Sequence, residues 1–279
     1  MLKPVANPWV DISWSQLIAP CDKDYLLKEF GSLDDNSVNL PKTIELSFKA
    51  FPEPFSGDVN SKVYCLDMNP GKPDDGFNPL FERSDSARVF EQQVQLILSH
   101  KSTRHFYTGL LFNGKSIFDN LAKWEKQLDL VFSSRSALNS FKVINTRDNI
   151  LPRPHAGAVW QREIWNPLRK LLGRDPHVFF VEFFPYHSAK GFKFPEHLPS
   201  YEYRNYLIRK AMLENKLIII MRSEVLWYKA IPELEYYPNK LLLKTKQRVW
   251  LSLNNFCRDI PVFRSCSLCQ TKKEILDMF

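Results

Sequence analysis

Three apolar runs punctuate the chain, and each breaks abruptly into polar residues. KVYCLDM (62–68) runs into NPGKPDDGFNP, HVFFVEFFPYHS (177–188) ends in a polar and aromatic cluster, and KLIIIMR (216–222) ends on an arginine. Short apolar runs bounded by turn residues read as buried strands. A fourth strand region falls in LLLKTKQRVWLSLNN (241–255). Between them the period changes to that of helices. ARVFEQQVQLILSH (87–100) places Val89, Phe90, Val94, Ile97 and Leu98 on one face, and SIFDNLAKWEKQL (116–128) repeats the pattern. AVWQREIWNPLRKLLG (158–173) reads as a helix that Pro167 kinks or restarts and Gly173 closes. SYEYRNYLIRKAMLEN (200–215) and SEVLWYKAIPEL (223–234) complete the helices, and Trp227 and Trp250 read as core.

Strands apolar on both faces, alternating with helices, imply a mainly parallel sheet covered on both sides. The expectation is one α/β domain over 1–279, a three-layer α/β/α sandwich around a central four-stranded sheet. Residues 1–60 form an irregular wrapping segment and 257–279 a short basic tail. In such sheets ligands bind beyond the carboxyl ends of the strands. The polar residues there are Asn69, Glu182 to Ser188, Arg222 and Ser223, and Ser252 to Asn255.

Composition narrows the class. Of 279 residues, 44% are hydrophobic and 25% charged, a globular balance that excludes wholesale disorder and collagen-like chains. No apolar run approaches the roughly 20 residues that cross a bilayer, and no apolar stretch precedes the first acid as in a signal peptide. Five cysteines, an odd count, fit reduced thiols in the cytoplasm. The net charge of +7 is concentrated. From Lys240 to Lys273 eight basic residues face one acid, Asp259, and the rest of the chain sums to zero. That excess is either an electrostatic footprint for nucleic acid or a solvated basic face.

Several chemistries drop out on motif grounds. NPGKPDDG has the wrong spacing for a dinucleotide turn, and phosphate-loop and GxSxG patterns are absent. The lone Cys266–Cys269 pair has no second pair or neighbouring His to make a zinc site. No cofactor and no metal are expected.

VYCLDMNPG resembles the first motif of the uracil-DNA glycosylase superfamily, nearest its mismatch-specific and single-strand-selective branches, where a strand ends in Asn-Pro-Gly. HVFFVEFFPY is similar to that superfamily's base-recognition strand, and LIIIMRSEVLWYKAI to the segment before its last motif. RVWLSLNNF falls where its last loop is placed. The resemblance implies that Asn69 orients the attacking water, an amide role that needs no ionisation. It implies that Met68, Pro70 and Gly71 form the turn, that Phe77 or Tyr186 stacks on a flipped base, and that Glu182 reads the base edge. Ser252 and Asn254 would contact phosphate, aided by Lys244, Lys246 and Arg248. Three letters depart from the pattern. Asp67 stands where Gly is usual, Glu182 where a base-reading Asn is usual, and SLNN lacks the His or Pro of the last loop.

Each residue also has a structural alternative. Asn69 caps the turn, and Phe77 is a core residue among 21 phenylalanines. Glu182 forms a salt bridge with Arg222 or Arg248, and His187 is a satisfied core histidine instead of a general acid or phosphate contact. Two functions follow. One is a DNA glycosylase that hydrolyses the N-glycosidic bond of a damaged or deaminated base. The other is a non-catalytic nucleic-acid or nucleotide-binding protein on the same fold. DNA is the expected partner of the first and nucleic acid or a free nucleotide the ligand of the second, with no membrane contact and a monomer favoured over an oligomer.

Overall fold

The computed structural model describes residues 2–10, 12, 17–30, 46–47, 52–70, 94–103, 156–188, 194–244, 249–256 and 272–279. The expected helix over 116–128, the first half of that over 87–100, and Gly71, Phe77, Lys246, Arg248, Cys266 and Cys269 lie outside the described residues. A 3₁₀ turn (Pro20–Asp22) leads into α1 (Lys23–Phe30), and the strands β1 (Leu46–Ser47), β2 (Phe55–Gly57) and β3 (Val63–Asp67) follow. Residues 94–98 are helical. Then come α2 (Ala156–Leu172), β4 (Phe179–Glu182), β5 (His187–Ser188), α3 (Tyr201–Leu213), β6 (Leu217–Ile220) and α4 (Glu224–Ala230). A 3₁₀ turn (Pro232–Tyr236), β7 (Lys240–Leu242) and α5 (Lys272–Met278) complete the order.

The main sheet has five strands in the order β2-β4-β3-β6-β7. From β4 to β7 the strands run parallel, whereas β2 pairs antiparallel with β4. The sequence pointed to four strands. The edge strand β2, only Phe55–Gly57, is too short to show a period of its own. A separate antiparallel pair joins β1 to β5.

Side chains alternate between two cores, as the strand period requires. On one face Tyr64, Leu66, Phe179, Val181, Ile218 and Ile220 pack with Leu207, Ile208 and Ala211 of α3 and Trp227 of α4. On the other, Val63, Cys65, Phe180, Leu217 and Ile219 pack with Ile164, Trp165 and Leu168 of α2 and with Phe279 after α5. Helices therefore cover both faces of a mixed sheet, and the chain is α/β. No helix among the described residues is long and apolar enough to cross a membrane.

Local departures have local causes. The run at 177–188 is not one strand. It leaves the sheet after Glu182, although Phe183 N–H still donates to Asp67 O (3.1 Å) and Phe184 N–H to Met68 O (2.8 Å), and it turns at Pro185, which has no N–H for the ladder. The fourth strand stops at Leu242. Beyond it 249–256 folds back, with Leu243 and Phe256 forming one antiparallel bridge, and Trp250 stands exposed instead of in the core. Pro167 sits inside a continuous α2. Gly173 closes that helix at φ +68°, its N–H donating to Arg169 O at 2.9 Å. The wrapping segment is anchored by Asp22, fully buried, which accepts from Tyr186 Oη (2.7 Å) and Ser200 N–H (2.8 Å), while Tyr186 Oη accepts from Ala19 N–H (3.1 Å).

Leu66 is fully buried in β3, the middle strand of the main sheet. Leu66→Ala is expected to cost about 2–5 kcal/mol, read from urea unfolding. A loss under about 1 kcal/mol, within reach of an ordinary surface change, would contradict a central β3.

Candidate functional site

Parallel pairing carries chemistry to one end of the sheet. β3 ends in Asp67 and β4 in Glu182, and the two residues are direct partners in the ladder. Arg222 follows β6, on the other side of β3, with its Nε 3.8 Å from Asp67 Oδ1. That distance makes an ion pair without a hydrogen bond. Asp67 Oδ1, Glu182 Oε2 and Arg222 Nε are all buried without a hydrogen-bond partner among the described residues. Leaving one such group unmade costs about 1–3 kcal/mol. All three are gathered at adjacent strand ends, and no hydrogen bond from the described residues satisfies them.

Burial is the largest influence on both carboxyls here. It raises the Asp67 carboxyl above its ordinary 3.8, against the pull of the Arg222 guanidinium and the Met68 N–H. Glu182 is pushed well above 4.5, first by burial and then by the Asp67 and Glu53 carboxylates, with Arg222 opposing. The shift favours the protonated form of Glu182, which can donate a hydrogen bond as well as accept. Glu53 is engaged elsewhere, its Oε1 lying 3.2 Å from Nε2 of buried His187.

Asn69 lies just past β3. Its Nδ2 donates to Ser188 Oγ (2.9 Å) and Ser188 O (3.2 Å), tying the turn to β5. Both bonds are made from the amide nitrogen, and Asn69 Oδ1 accepts none among the described residues. The amide is thus held in one orientation with its carbonyl oxygen still available. Met68 and Pro70 are half-buried beside it.

The structure brings Asn69, Met68, Pro70 and Glu182 to neighbouring positions and puts other expected residues elsewhere. Tyr186 is only 1% exposed, its ring against Trp9 and Phe184 and its hydroxyl on Asp22, so it is a core residue with no open face for stacking. His187 is buried against Glu53. Ser252 and Asn254 sit in the fold-back after β7, where Ser252 Oγ accepts from Asn255 N–H at 3.2 Å. Asn254 and Lys244 are exposed there. Three strand spacings, about 14 Å, separate β4 from β7. The salt bridge expected between Glu182 and Arg222 is replaced by one between Asp67 and Arg222.

Arg222 and Ser188 were expected at the ligand-binding strand ends, whereas Asp67 was not singled out from the sequence as a ligand contact. A signal was present, because VYCLD, FFVE and LIIIMR each end an apolar run on a charge. Among the described residues no group of three or more His, Cys, Asp or Glu side chains could hold a metal ion. No protein-family model, curated protein or solved structure matches this chain.

A carboxyl raised on folding binds more protons folded than unfolded, so it lowers stability as pH rises through the window between the two values. Wild type should therefore lose stability relative to Glu182→Gln as pH climbs above about 4.5, by at most about 1.4 kcal/mol per pH unit. Below that window the difference should be constant. Urea midpoints across pH measure it, and parallel curves would contradict a Glu182 carboxyl raised on folding.

Proposed function

We propose that the chain binds a nucleobase at the carboxyl ends of β3, β4 and β6 and acts as a DNA glycosylase, hydrolysing the N-glycosidic bond of a damaged or deaminated base. The observation that carries this reading is the set of three buried, unpartnered polar atoms on Asp67, Glu182 and Arg222. Polar atoms without a hydrogen-bond partner among the described residues fit a flipped base, whose edge is rich in donors and acceptors. We take the finer architecture to be the three-layer sandwich of the uracil-DNA glycosylase superfamily. Four parallel strands in the order β4-β3-β6-β7, with helices on both faces, support it.

In this mechanism Asn69 is the water-positioning residue. Its Nδ2 is anchored on Ser188, and Oδ1 takes a hydrogen bond from the water that attacks the sugar carbon. The same fixed amide dipole stabilises positive charge developing on the sugar as the bond to the base breaks. No ionisation of Asn69 is needed, so its role is independent of pH. Ser252, Asn254 and Lys244, beside the edge strand β7, then supply contacts to the phosphate backbone, and the basic residues Lys246 and Arg248 of the sequence add to them.

A binding protein without catalysis is the second reading, and a specific observation favours it. The 252–255 turn is built from Ser, Leu, Asn and Asn, and its Ser252 hydroxyl is engaged by Asn255. It offers no imidazole for the departing base. Release of free base from oligonucleotides carrying uracil, hypoxanthine, xanthine or mismatched thymine separates the two readings. An active enzyme should lose roughly a hundred- to a thousandfold in rate on Asn69→Ala while binding stays nearly unchanged. Binding without release of any base, by wild type, would leave the second reading.

A further inference from the structure

Arg204, in the first turn of α3, is a buried cation with no acid paired to it among the described residues. Only 7% of it is exposed. Its guanidinium lies over the rings of Tyr201 (3.8 Å), Phe183 (4.3 Å) and Trp227 (5.3 Å). Nε and Nη2 donate to Asn205 Oδ1 (3.0 and 2.9 Å), and Nη1 donates to Phe183 O (2.5 Å). Both acceptors are neutral. A guanidinium carries five N–H groups, so each terminal nitrogen keeps one beyond these bonds. Burial pushes Arg204 down to about 10 from its ordinary 12.5, and Tyr201 alone opposes that shift. A charge held this far from water without a counter-ion is costly.

The same cation lines a cavity. Aromatic side chains, Trp9 and Phe55 among them, form its walls, and Glu182, Ser200 and Arg204 are its charged and hydroxyl-bearing members. Its volume is about 230 Å³ with the mouth included, and the room inside is that of about one water. Ser200 is 2% exposed, and its Oγ has no hydrogen-bond partner among the described residues. The Ser200 N–H is spent on Asp22 Oδ1 (2.8 Å), so the hydroxyl is the group left for a ligand. Glu182 Oε2 is likewise unpartnered. The upward shift of that carboxyl, under Asp67 and Glu53 with Arg222 opposing, favours the form that donates. Guanidinium, hydroxyl and protonated carboxyl are all donors, which is what an anion requires. A water in the cavity would leave the positive charge uncompensated.

We infer that this cavity is an anion site that takes one halide-sized ion, chloride, between Arg204 and Ser200. The guanidinium supplies the charge, and the hydroxyl, which turns about a single bond, completes the contact. The aromatic walls and the size of the cavity exclude larger organic anions. The inference is independent of the base-binding role proposed above.

Urea unfolding of the full chain in potassium chloride and in potassium gluconate, matched in ionic strength and pH, tests it, because gluconate is too large for the cavity. A site half-filled at about 10 mM would raise the folding constant roughly tenfold at 100 mM chloride. Ser200→Ala keeps the N–H bonded to Asp22 and should weaken chloride about tenfold, the worth of one hydrogen bond to a charged group. The rise at 100 mM would then fall to about twofold. Arg204→Met, which keeps an apolar stem against the rings, should abolish it. Should that variant fail to fold, anomalous diffraction from wild-type crystals soaked in bromide gives the second reading, with a peak expected between Arg204 and Ser200. Equal unfolding midpoints of wild type in the two salts would overturn the assignment. So would a chloride effect that Ser200→Ala leaves intact, or bromide found only outside the cavity.

Discussion

The register of β3 against β4 is the constraint on which the candidate site depends. It sets Asp67 directly beside Glu182 at the end of a sheet that is apolar on both faces. Two carboxyls in a low dielectric repel strongly, and one guanidinium at 3.8 Å offsets only part of that repulsion. The consequence is a Glu182 carboxyl held well above its ordinary value, an Asp67 also raised, and polar atoms that no hydrogen bond among the described residues satisfies. A one-residue slip in that pairing would send one of the acids to the opposite face and dissolve the cluster. The apolar strands fix the register by filling two cores at once, so the stability of the sheet and the strain at its end have the same origin.

Much of the architecture was legible in the hydrophobic pattern. VYCLD, FFVE and LIII are short, apolar on both faces and broken by turns or charges, so their burial follows directly from composition. The helices α2, α3 and α4 follow from period and from Gly173, Ser200 and Pro232 at their ends. What the pattern could not supply was pairing. Phe55–Gly57 becomes an edge strand because the backbone of β4 has a free side there, a property of the partner and not of those three residues. Likewise 249–256 folds back through tertiary contacts. Leu251 N–H donates to Ile164 O in α2, and Lys244 N–H to Asn255 O.

The site was legible in part for a related reason. Asn69 and Glu182 could be picked out because they follow apolar strands, and the sheet does bring them to neighbouring strand ends. Tyr186 and His187 sit in an equally suggestive sequence position, yet both turn inward, Tyr186 to Asp22 and His187 to Glu53. Their partners lie more than a hundred positions away in the chain, beyond any local pattern. Arg222 shows the reverse case. It was visible as a counter-ion for Glu182, but the order of strands places it next to Asp67.

The most direct test of the account is a crystal structure of the chain with a deoxynucleotide or short single-stranded oligonucleotide bound. The account predicts a base at the ends of β3, β4 and β6, with polar atoms within about 2.7–3.2 Å of Asp67, Glu182 and Arg222. It also predicts an ordered water on Asn69 Oδ1. A nucleotide seated elsewhere, with those three side chains satisfied by water or by one another, would contradict it.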